Sequence, residues 1–210
     1  MSHADSRYAP QAEADVRRLV LEHPLAWVVS STDGAWRATP LPLRPEPCEA
    51  NQPIPAFVGH FARSNPQLEM IKTNPRALLL FMGVNGYVSP SWMTDRTQAP
   101  TWNYASVQYR VEIQLIAAEE PRDAVLAELT GAMEAARPAA WKPADMGARY
   151  ALLASRIVAF RALVLERRVR FKLGQDERDD VYADIVAGLG AEGEELRAWM
   201  ELTNPTRPQR

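Results

Sequence analysis

The sequence predicts a mainly β (α+β) fold, an antiparallel barrel with peripheral helices. Three observations carry this. Six or seven β-rich segments follow one another in hairpin-like succession. A single short helix interrupts them, after the third strand. Strict alternation of strand and helix is missing, which excludes a doubly wound parallel sheet.

Residues 10–23 read as a helix. Val16, Leu19 and Val20 form one stripe, while Glu13, Arg17, Arg18 and Glu22 face out, and Pro24 ends the run. Leu25–Ser30 is the first strand, Thr32-Asp33-Gly34 a hairpin turn, and Trp36–Leu43 the returning strand. Pro40 and Pro42 place that strand at an edge or a bulge. A proline-rich loop, 44–55, leads to a third strand, Ala56–Phe61. Ser64–Thr73 is the short helix, with Ser64 or Asn65 as cap and Pro66 in its first turn. Ala77–Met82 reads as a buried strand, Gly86–Ser89 as another, and 90–101 as a loop. Ala105–Ala117 alternates, with Val107, Tyr109, Val111, Ile113 and Leu115 on one face. Helices are expected at about 121–136 and 144–154, a long strand at Ile157–Arg170, and closing helices at 176–189 and 191–201. The last eight residues, TNPTRPQR, are expected to fray. The 210 residues are read as one domain with helical additions at about 10–23, 121–154 and 176–201.

Composition removes several chemistries. The 24 Lys+Arg nearly balance 26 Asp+Glu, so no bulk basic field gathers nucleic acid or an anionic membrane. One cysteine, Cys48, excludes an intramolecular disulfide. The three histidines, His3, His23 and His60, have no metal-ligand spacing with Cys48 or one another. Nucleophile elbow, phosphate loop and dinucleotide fingerprint are all missing. With no signal-like start and no long apolar run, a cytoplasmic location is expected.

Three segments could carry chemistry. In Gly59-His60-Phe61-Ala62-Arg63-Ser64-Asn65-Pro66 a strand feeds a helix start. Free N–H groups, the Arg63 cation and the Ser64 hydroxyl suit a phosphate or carboxylate, although an ordinary capped junction uses the same residues. In Tyr87–Trp92 and Pro100–Tyr104, aromatic faces mix with amide and hydroxyl groups. That suits a planar heterocycle, or else a small aromatic core. Arg167–Lys172 holds four cations in six residues, open to anion binding, nucleic-acid contact or a solvated strand edge.

The runs GHFARSNPQLEMIKTNPRALLLFMGVNGYVSPSW, PTWNY and FKLGQD, with the opening VVSSTDGAWRATPLPL, closely resemble the PaiB family. These are bacterial proteins described as FMN-binding negative transcriptional regulators. The resemblance runs from about residue 8 to residue 190. It implies a split β-barrel of the flavin-binding type and a homodimer with FMN at the subunit interface. The flavin phosphate would lie on His60, Arg63 and Ser64, with Lys72 an addition. The ring system would lie near Thr39 and the partner's share of Thr101, Trp102, Asn103 and Tyr104. The chain departs from the family pattern at Thr39, Met93, Gly174 and Asp176. The resemblance leaves a flavin-dependent oxidoreductase, a flavin-sensing regulator, a DNA-contacting regulator and a cofactor-free binding module open. The near-zero net charge and the acidic C-terminal helices weigh against direct DNA contact.

Overall fold

A computed structural model describes residues 6–207. His3 and the last three residues of the tail lie outside the described residues. Seven strands form one antiparallel sheet: β1 Leu25–Thr32, β2 Ala35–Pro42, β3 Arg44–Pro45, β4 Ala56–Ala62, β5 Arg76–Val88, β6 Thr101–Ile116 and β7 Ile157–Lys172. Their order is β2-β1-β5-β6-β7-β4-β3, open at both edges. Six helices accompany them: α1 Glu13–Glu22, α2 Gln67–Thr73, α3 Glu119–Glu134, α4 Arg149–Ala154, α5 Asp179–Gly188 and α6 Glu194–Thr203. The mainly β, split-barrel expectation holds.

The β1–β2 hairpin forms as the sequence indicates. Its two-residue Asp33-Gly34 turn has positive φ at both positions, 51° and 79°, the geometry that matches strand twist. β2 stands at the sheet edge, where the missing N–H groups of Pro40 and Pro42 do no harm. The proline-rich loop supplies the other edge, since Arg44 and Pro45 pair with Val58 and Phe57.

Some boundaries differ from the sequence reading. The segments read as two strands, Ala77–Met82 and Gly86–Ser89, are one 13-residue strand. Asn85-Gly86 resembles a turn signal, but the glycines there serve close packing: Leu19 lies over Gly83 and Leu196 over Gly86. The strand expected from Ala105 begins at Thr101, so PTWNY is mostly strand. α2 starts at Gln67 rather than Ser64, because the Asn65 side chain accepts the Gln67 backbone N–H at 2.9 Å. The helix expected over 144–154 divides into a 3-10 turn, Pro143–Met146, and α4, with Gly147 at φ 55° between them.

The chain forms two compact units. One comprises Val20–Phe81 and Gln108–Arg167; the other comprises the N-terminal stretch through Leu19, Met82–Val107 and the chain from Arg168. The larger unit is built on an aromatic cluster of Phe57, Phe81 and Tyr109, with ring centroids 4.8–6.0 Å apart. β4 is buried on both faces, and Val125 and Leu129 of α3 pack on Val58 and Ala159. The smaller unit gathers Val16, Leu19, Val107, Phe171, Tyr182, Ile185, Trp199 and Met200, all buried. No helix among the described residues is long and apolar enough to cross a membrane.

Candidate functional site

The strand-to-helix junction is held by a polar network in the larger unit. Gln67 is fully buried, and its amide donates to the Val28 carbonyl at 2.9 Å and to Ser30 Oγ at 3.0 Å. Its Oε1 accepts from the Thr39 hydroxyl at 2.6 Å, and Thr39 in turn accepts from Asn65 Nδ2 at 2.9 Å. Burial makes each of these bonds costly to lose, so the turn between β4 and α2 has one shape. Thr39 therefore holds the junction; its only hydrogen is already committed.

Arg63 stands at the end of that turn. Its guanidinium donates to the Ser155 carbonyl at 2.9 Å and to the Ile157 carbonyl at 3.3 Å. Two of its five N–H groups are thereby used to fix its position, and the rest remain for a ligand. Arg63 and Lys72 line the same cavity of about 230 Å³, with Leu68, Glu69, Ile116 and Val158. Lys72 pairs with Glu69 at 2.7 Å on the exposed face of α2, a weak surface pair that an anion can compete for. Ser64 is exposed in the turn beside Arg63.

His60 is not part of that cavity. Successive strand residues face opposite ways, and His60 points under α3. It lines a second cavity, of about 320 Å³, with Leu43, Arg44, Leu129, Met133 and Trp141. Burial holds its imidazole below the ordinary histidine pKa, and Nδ1 is buried with no hydrogen-bond partner. The ring is neutral near pH 7, which suits it poorly to neutralise a phosphate.

The aromatic segments lie in the smaller unit. Trp102 and Tyr87 form an exposed edge-to-face pair with centroids 6.1 Å apart. Thr101 accepts from the Lys172 ammonium, which also donates to the Trp102 carbonyl at 3.1 Å. Asn103 is turned inward, 1% exposed, with its amide 3.5 Å from Met200 Sδ. Tyr104 accepts from Arg170 Nε at 3.1 Å, and the Arg170 guanidinium lies 4.3 Å over the Tyr8 ring. So two cations of the basic run, Arg170 and Lys172, are spent inside the fold. The departures have local causes as well. Gly174 sits at φ +87°, a strained conformation for any side chain. Asp176 accepts from Tyr8 at 2.6 Å, and that bond raises the tyrosine pKa. Met93 is buried.

Sequence reasoning missed three residues of consequence. Gln67 reads as an ordinary surface helix residue, and only tertiary structure buries it. Arg44 and Trp141 fall in a loop and in an unassigned stretch, yet both line the cavity under α3.

Comparison with known proteins agrees with this architecture. Residues 2–166 match the model of a family described as "Putative FMN-binding domain". The protease synthase and sporulation protein PAI 2 of Bacillus subtilis (strain 168) is 27% identical over 180 residues, covering 83% of each chain. The flavocytochrome Anf3 from Azotobacter vinelandii shares the fold at 15% identity, with a TM-score of 0.60 over 83% of this chain and 73% of that one. The FAD and heme binding protein from Mycobacterium smegmatis does so at 20% identity, with a TM-score of 0.58 over 85% of this chain and 79% of that one.

Proposed function

The chain belongs to this FMN-binding family, of the PaiB type its motifs resemble, and from that premise we propose that it binds FMN through the junction after β4. The single observation that carries the assignment is the cavity where Arg63 and Lys72 converge beside the exposed Ser64. Two kinds of donor in that cavity suit the dianionic phosphate, a guanidinium held by two carbonyls and an ammonium, and the exposed Ser64 hydroxyl follows Arg63 in the chain. Gln67, Asn65 and Thr39 act one step back by holding the turn. His60 is left out of this set because it faces the other cavity. When bound, FMN supplies one- and two-electron redox chemistry; the chain supplies binding and orientation. The role is that of a flavin-dependent oxidoreductase or a flavin-sensing regulator.

We further propose a homodimer in which the second copy supplies Thr101, Trp102 and Tyr104 to the flavin, Asn103 being turned into its own fold. What supports a dimer is an exposed apolar sheet face of the larger unit. Leu25 and Trp27 are 62% and 50% exposed, and they pair with Pro42 and Pro40 on β2. Trp102 is the member of 101–104 with a free aromatic face; Thr101 and Tyr104 position it through Lys172 and Arg170.

Flavin absorbance and fluorescence quenching during titration test the reading. FMN binds at micromolar concentration, and Arg63→Gln with Lys72→Gln weakens it about tenfold or more. Lack of binding at tens of micromolar FMN overturns the assignment. Sedimentation of Trp27→Glu tests the dimer: a monomer supports it, and a wild-type chain already monomeric removes it.

A further inference from the structure

The cavity under α3 belongs to neither the phosphate donors nor the aromatic pair. Leu43, Leu129, Met133 and Trp141 wall it, and Arg44, His60, Thr130 and Glu134 are the polar side chains that line it. The charges there are unequal in their commitments. Glu134 accepts the Trp141 backbone N–H at 3.1 Å with one oxygen and pairs with Arg137 at 3.3 Å with the other. Arg44 is half-buried, and its guanidinium makes no hydrogen bond or ion pair with any described residue. Glu134 is thus the one carboxylate lining the cavity and both its oxygens are engaged elsewhere, so a cation partly withdrawn from water there is relieved by an added carboxylate that meets the guanidinium fork.

The walls narrow the chemistry further. An indole and a thioether favour the face and edge of an aromatic ring over a flexible chain. A volume of about 320 Å³ accommodates one or two fused rings, not a nucleotide. His60, neutral and with Nδ1 buried and unpartnered, adds a polar atom but no competing charge.

We infer that this cavity is a second ligand site, for a small aromatic carboxylate. The carboxylate sits on Arg44, and the ring lies among Leu43, Leu129, Met133 and Trp141. The inference does not depend on flavin binding.

Calorimetric titration of the full chain with 2-naphthoate, with and without FMN, tests it. The expected result is micromolar binding with the same Kd in both conditions. Arg44→Gln weakens it about tenfold, while the uncharged 2-naphthamide binds both proteins alike. Met133→Trp, at a partly exposed position, fills the cavity and abolishes binding of both probes with an unchanged melting curve. Lack of binding at about 1 mM, an unaltered Kd in Arg44→Gln, or displacement of FMN by 2-naphthoate overturns the proposal. Tighter binding of octanoate than of 2-naphthoate also overturns it. Failure of FMN to bind, with 2-naphthoate binding intact, removes the flavin reading alone.

Discussion

The two compact units satisfy their buried polar groups by different means. In the larger unit, Gln67, Thr39, Asn65 and Ser30 satisfy one another, so that removing one member strands several. In the smaller unit, polar groups are tied in small separate sets. Asn204 donates to the carbonyls of Leu173 and Met200, and arginines lie on aromatic faces, Arg18 on Trp199 and Arg207 on Tyr182. A mutual network gives one rigid shape at high cost of disruption. Small separate sets are lost one at a time. The rigid solution stands at the turn between β4 and α2, next to Arg63.

The largest expected effect lies in the apolar core of the larger unit. Phe57→Ala removes a fully buried ring from between Phe81 and Tyr109 and lowers stability by about 3–5 kcal/mol in urea denaturation. Next comes the comparison itself. Gln67→Ala takes the acceptor from the Thr39 hydroxyl and the Gln67 amide donor from Ser30 and the Val28 carbonyl, and costs about 2–3 kcal/mol. Tyr8→Phe removes one bond to Asp176 and costs about 1 kcal/mol. Equal losses from these two substitutions would break the contrast between network and tie. Arg170→Gln, which lifts a guanidinium from the Tyr8 ring and from Tyr104, costs about 0.5–1 kcal/mol by thermal melting.

The smallest effect is one of pH. Glu46 receives a two-pronged contact from Arg161, 2.6 Å at Nη2, and that hydrogen bond lowers its pKa below the ordinary 4.5. A carboxylate with a depressed folded-state pKa stabilises above its unfolded value, and the gain fades as pH falls through the folded one. Wild-type stability should therefore drop below about pH 4.5 by a few tenths of a kcal/mol more than that of Glu46→Gln, since the pair is partly solvated. Parallel curves for the two proteins would remove Glu46 from the account.

Most strands, the hairpin and all the main helices were legible in the sequence, because apolar periodicity and turn residues report local structure directly. Asp33-Gly34 and the alternation from Val107 to Ile113 are examples. Boundaries failed where packing overruled a local signal, as when Leu19 and Leu196 hold Gly83 and Gly86 extended. Of the candidate site residues, Arg63 and Lys72 line one cavity, whereas His60, three residues before Arg63, lines another. Sequence spacing could not separate them, because which side of β4 is covered by α3 depends on a helix 60 residues away. The inward turn of Asn103 toward Met200 was likewise invisible, being a contact across 97 positions.

The bond between Tyr8 and Asp176 joins residues 168 positions apart. During synthesis the smaller unit cannot close until residues 171–200 have left the ribosome, since its core needs Phe171, Trp199 and Met200 as well as Val16 and Leu19. The larger unit draws only on residues 20–167 and has its whole core available earlier. Folding order and chain order thus differ: Val16 and Leu19, made before the larger unit, find their partners only after it is complete.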